Sequence, residues 1–181
     1  MKKIAMLTTT ALVVIAGTTV VMTDNGFKRN IREFLSGNEE VPIVLTSGRG
    51  TFTANINREG TELAYKLAYS GLESDATQAH IHIGQPRING GVSVFLCANT
   101  PPITAPPAPA SVPPPCPVRE GEVEGVLTAE DVVGPSSQGV VPGDFARLLF
   151  AIRSGNTYAN VHTARSPAGE IRSQLDHPGH R

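Results

Sequence analysis

The feature that most constrains the fold is a succession of short segments in which apolar and polar residues alternate. Residues 50–57 set Phe52, Ala54 and Ile56 against Thr51, Thr53 and Asn55, the period-two pattern of a strand with one buried side. Arg58-Glu59-Gly60 supplies a turn, and 62–69 resumes with Leu63, Tyr65, Leu67 and Tyr69 on one side. That second run also suits a helix by propensity, but its alternation and hairpin setting favour a strand. Further strands are predicted over 78–84, 91–97, 120–127, 157–163 and 169–175. With 18 Gly and 15 Pro as punctuation, such a set predicts an all-β protein, an antiparallel immunoglobulin-like β-sandwich of about 7–8 strands. One short helix is predicted over 144–153, started at Asp144, stopped at Gly155, with Phe145, Leu148, Leu149 and Ile152 on its apolar face; it would cover an open end of the sheets. Thr128-Ala129-Glu130-Asp131 reads as a single capped turn.

The 181 residues suit one domain with a sizeable core, and the formal charge of −1 lacks the basic surplus of a nucleic-acid-binding domain. Met1-Lys2-Lys3 precedes an uncharged apolar run over 4–22, the form of an export signal, with Val14 and Ala16 small enough for a cleavage site. Nineteen uncharged residues can also just span a bilayer, so 1–23 reads as a signal peptide or an N-terminal membrane anchor, the one route to membrane contact. Export makes the chain secreted, periplasmic or envelope-bound. Cys97 and Cys116, the only two cysteines, then most simply form a disulfide. Such a bridge would tie down a Pro-rich excursion, since nine of the fifteen prolines fall between Pro101 and Pro117.

Segments spread along the chain resemble one family. Leu35-Ser36-Gly37-Asn38-Glu39-Glu40-Val41-Pro42 is similar to the opening of the CHRD (chordin) domain, and Ala79-His80-Ile81-His82-Ile83-Gly84 to its central signature. Leu127-Thr128-Ala129-Glu130-Asp131-Val132 resembles a third block. Tyr158-Ala159-Asn160-Val161-His162-Thr163 and Pro167-Ala168-Gly169-Glu170-Ile171-Arg172-Ser173-Gln174-Leu175 resemble the closing motif, with Ala168 and Ser173 where the family often has glycine. The resemblance divides the chain into a linker at 24–32, a CHRD-like domain at 33–176 and a tail at 177–181. It implies a secreted single-domain protein of the microbial type with a non-enzymatic binding or structural role toward an envelope or extracellular partner. Growth-factor binding, which chordin owes largely to cysteine-rich modules, does not carry over, because those modules are missing from this sequence.

Histidines are the main candidates for site chemistry. His80 and His82 flank Ile81, so in a strand both rings emerge on the side opposite Ala79, Ile81 and Ile83. If the apolar set faces the core, the histidines face outward or toward a loop, as does His162 beside Val161. Should the two strands be neighbours, three imidazoles meet in one surface patch suited to Cu or Zn. The His-X-His element also resembles the copper-binding strand of Cu/Zn superoxide dismutases, but no histidine lies between His82 and His162 to supply that family's other ligands. The alternative is that these rings hydrogen-bond to loop backbone and hold the edge of the sheets. Glu170 and Arg172 alternate with Ile171 and read as a structural motif, paired with each other or anchoring a loop. Glu120, Glu122 and Glu124 form an acidic face, either a Ca²⁺ ligand set or a charge-protected edge strand. No nucleophile elbow or phosphate-cradling loop is present in the sequence, and the expectation is a protein that is not an enzyme.

Overall fold

The computed structural model describes residues 30–99 and 111–175. The apolar run at 4–22, residues 100–110 of the Pro-rich excursion, and His177 and His180 lie outside the described residues. Eight strands and one helix follow in order: β1 Asn30–Ser36, β2 Arg49–Ile56, β3 Leu63–Ser70, β4 Ala76–Ile83, β5 Val92–Ala98, β6 Gly121–Leu127, α1 Phe145–Arg153, β7 Thr157–Thr163 and β8 Ile171–Gln174. They form a single sheet in the order β5-β4-β7-β8-β1-β2-β3-β6, antiparallel at every pairing. The expected all-β antiparallel architecture with one helix is what the chain adopts.

The sheet is nearly barrel-shaped, and its hinge is visible in the pairing. β1 and β2 pair along their full length, from Asn30 with Asn55 to Ser36 with Arg49. Between β1 and β8 only Ser36 and Arg172 are partners, so the sheet turns sharply there. The two ends of the sheet come close on the far side, where the Tyr65 hydroxyl of β3, the strand beside the outermost β6, donates to the Leu96 carbonyl of β5 at 2.5 Å. Inward residues from both halves, among them Phe52, Leu67, Ile81, Leu96, Val161 and Ile171, have no exposed surface and make one continuous core.

Local sequence explains most elements. In β2 and β3 the alternating set Phe52, Ala54, Ile56, Leu63, Tyr65, Leu67 and Tyr69 is buried and the intervening residues are not. The Asp144 side chain caps α1 by accepting from the Arg147 N–H at 2.9 Å. Phe145, Leu148, Leu149 and Ile152 bury the predicted face, and Gly155 takes a φ of 66° just beyond the helix. Asp131 closes the turn at 129–131 by accepting from the Thr128 N–H at 2.7 Å. β6 is an edge strand whose Glu122 lies 2.6 Å from Lys66 of β3, with Glu124 at 3.9 Å from the same ammonium. The acidic face thus contacts a cross-strand lysine in solvent. Cys97 and Cys116 are joined, tying β5 to the segment that leads into β6.

One boundary differs from the sequence reading. Asn30, Ile31 and Arg32 belong to β1, not to a linker ending at 32. Here the buried residues are Ile31 and Leu35, while Phe34 is exposed and a glutamate, Glu33, stands between them. An apolar residue in the outward phase and a charge in the inward phase hide the alternation.

Candidate metal centre

β4 and β7 are neighbours. Their register pairs Gln78 with His162, His80 with Asn160 and His82 with Tyr158, and directly opposed residues share a face. All three histidines therefore project from the same side of the sheet, the side away from Ile81 and Val161. Alternation predicts this convergence but not the burial. His80 is 3% exposed and His82 6%, and His162 is half-buried, so the expected surface patch is an enclosed layer.

Loops cause that enclosure. His82 Nδ1 donates to the Gly90 carbonyl at 2.9 Å, and His162 Nδ1 to the Pro167 carbonyl at 3.0 Å. A carbonyl oxygen can only accept, so each of these Nδ1 atoms carries the proton of a neutral ring and Nε2 keeps its lone pair. The Arg172 guanidinium lies 3.4 Å above the centre of the Tyr158 ring and donates to the Asn89 side chain at 3.1 Å and the Ile88 carbonyl at 3.0 Å. Asn89 in turn donates to the Val41 carbonyl at 2.7 Å. The connections after β4, after β1 and between β7 and β8 are thereby fastened over the polar face.

Glu170 and Arg172 do not pair with each other. Glu170 accepts from Thr46 and Thr163 hydroxyls, both at 2.7 Å, and from the Glu73 N–H at 2.9 Å. It holds the residues before β2 and after β3, while Arg172 holds the connection after β4.

Within the layer the rings nearly touch. His80 and His162 centroids are 4.8 Å apart, His80 and His82 5.3 Å, and His82 and His162 5.8 Å. Phe95 packs edge-on against His80 at 4.5 Å, and Tyr158 stacks on His82 at 4.7 Å. One nitrogen from each histidine lies within 4.8 Å of the others. Both nitrogens of His80, Nε2 of His82, Nε2 of His162 and Oδ1 of Asn160 are buried and have no hydrogen-bond partner. Buried polar atoms are normally paired, and each orphan costs about 1–3 kcal/mol, so five together single out this layer.

Burial opposes charge on these rings. It lowers His80 well below the ordinary imidazole range, with His162 and His82 adding repulsion. His82 falls to about 4, burial outweighing the Gly90 hydrogen bond, and burial lowers His162 as well. Beside them burial raises Glu40 to about 7, against the opposing effects of Arg172, Asn160 and the Val41 backbone.

Comparison with family models matches the CHRD domain over residues 32–175. This chain belongs to the CHRD domain family. Comparisons with curated proteins and with solved structures return no match. In this CHRD domain the opening block delivers Glu40, the central signature His80 and His82, and the closing motif Asn160, His162 and Arg172, so segments far apart in sequence meet in one buried layer. Sequence reasoning missed Asn160 and Glu40. Asn160 was within reach, because alternation with Ala159 and Val161 puts it on the His162 face. No local pattern marked Glu40.

Proposed function

We propose that this CHRD-domain protein is an exported, non-enzymatic binding or structural module of the cell envelope that holds one copper or zinc ion between His80, His82 and His162. The observation that carries the reading is the set of buried ring nitrogens without hydrogen-bond partners, one from each histidine lying within 4.8 Å of the others. His82 and His162 spend their Nδ1 protons on loop carbonyls, leaving Nε2 of each ring, and His80, unpartnered. A metal-bound histidine usually makes this kind of outer hydrogen bond, which orients the ring and selects its tautomer. Hydrogen bonding to loops and metal ligation are thus compatible roles for the same rings. Tetrahedral Zn–N bonds of about 2.0–2.1 Å place ligand nitrogens about 3.4 Å apart. The separations within 4.8 Å leave a closing movement of about an ångström or less per ring.

Enclosure favours binding over catalysis, since a catalytic metal keeps an open position for substrate. The Cys97–Cys116 disulfide fits an oxidising compartment, and the basic, apolar N-terminus fits delivery there. Any macromolecular partner is then an extracellular or envelope one.

Titration calorimetry of the metal-free, disulfide-intact chain with Zn²⁺ and with Cu²⁺ tests the reading. One ion per chain is expected, lost in His80→Ala and His82→Ala variants that still unfold cooperatively. An absence of uptake at micromolar metal would refute it.

A further inference from the structure

We infer that Asn160 supplies the fourth ligand through Oδ1, so that the centre is a closed set of three imidazole nitrogens and one amide oxygen that takes Zn²⁺ and leaves no position for a substrate. The inference rests on the three-histidine reading and adds to it. Asn160 is 2% exposed. It stands opposite His80 across the β4–β7 pair and two residues from His162 on the same face.

Its two amide ends face different neighbours. A Cβ on Gly169 would lie 2.7 Å from Asn160 Nδ2 and in contact with Glu40 Oε1, so the NH₂ end belongs to the Glu40 side, where it favours the charged carboxylate. The other end, Oδ1, is buried on the face that Asn160 shares with His80, His82 and His162. Oδ1 nevertheless has no hydrogen-bond partner, because the neutral His82 ring has its proton on Nδ1, bound to Gly90. A cation would satisfy this oxygen together with one unpartnered nitrogen from each ring, the other His80 nitrogen carrying the proton of a neutral imidazole.

The donor set selects the ion. Imidazole and a neutral oxygen, with no thiolate or thioether, suit Zn²⁺ better than Cu⁺. Four protein ligands in tetrahedral array are the mark of a structural zinc site, and three plus water that of a catalytic one. Phe95 packed against His80 and Tyr158 stacked on His82 hold two of the rings in place.

The test uses the full chain loaded with Zn²⁺ for affinity and with Co²⁺ for its visible spectrum. The wild-type Co²⁺ spectrum is expected to be intense, as for four-coordination, and unchanged by millimolar azide. Asn160→Ala should bind Zn²⁺ at least tenfold more weakly and its Co²⁺ spectrum should shift with azide, whereas Asn160→Asp, which keeps an oxygen, should bind within a few-fold of wild type or tighter. An azide shift in the wild type overturns the inference without any variant, as does an Asn160→Ala protein with unaltered affinity. Either result leaves the three-histidine site standing. A wild type that takes up Cu²⁺ but not Zn²⁺ overturns the inference alone, and one that takes up neither removes both.

Discussion

Substituting Gly169 by alanine probes whether the polar layer is packed as tightly as the apolar core. Gly169 has a φ of 130°, where an L side chain is strained by about 1–3 kcal/mol. The added methyl would also meet Glu40 Oε1 and lie 2.7 Å from Asn160 Nδ2. Neither neighbour has room to retreat, as Glu40 is 5% and Asn160 2% exposed. Overpacking of this kind costs about 1–3 kcal/mol, giving a total of about 4 kcal/mol. Gly139 is the internal control. Its φ is 85° and nothing lies within 4 Å of a Cβ there, so Gly139→Ala bears only the backbone cost. Urea denaturation of the two variants should separate them by about 2 kcal/mol, with Gly169→Ala the weaker, and the thermal midpoints by several degrees. Equal destabilisation of the two would show that Glu40 and Asn160 do not fill the space above Gly169, and the enclosed-layer argument would fail with it.

Other outcomes follow from the same contacts. Reducing the Cys97–Cys116 bridge, which spans 19 residues of sequence, should lower unfolding free energy by about 3 kcal/mol, read from urea midpoints with and without reductant. Arg172→Lys keeps the charge but loses the planar fork over Tyr158 and to Asn89 and Ile88; a cost of about 2 kcal/mol and faster amide exchange at Gly90 are expected. In metal-free protein, His82 ionises at about 4 folded against an ordinary 6.5. Between those values the unfolded chain binds a proton that the folded chain refuses, so stability falls as pH drops, by about 3 kcal/mol over the window. Glu40 acts oppositely, because its folded value of about 7 exceeds the ordinary 4.5 and its contribution is lost as pH rises from 4.5 to 7. Glu40→Gln should therefore steepen the acid loss of stability measured by urea titration across pH 4–7, and an unchanged slope would contradict these assignments.

Period-two alternation alone determined a great deal of this protein. It located β2 through β8 within a residue or two at most ends, oriented Tyr65 and Leu67 inward, and put His80 and His82 on the face opposite Ile81. It could do so because extended backbone turns each side chain about half a revolution from the last, whatever the rest of the chain does. The helix over Phe145–Arg153 was legible for the same local reason, through its Asp144 cap and apolar face. Where an inward charge and an outward aromatic broke the alternation, at Glu33 and Phe34, β1 was invisible.

Only the tertiary structure decided that the outward face of β4 and β7 is not a surface. That depends on where the connections carrying Glu40, Asn89, Gly90 and Pro167 come to rest, and loops of mixed polarity have no period from which a resting place can be read. Once they settle, the same histidines change from solvated side chains into buried rings held neutral. Alternation specifies the direction in which a ring points, but its chemistry is set by the dielectric and the hydrogen-bonding partners that distant segments bring to it.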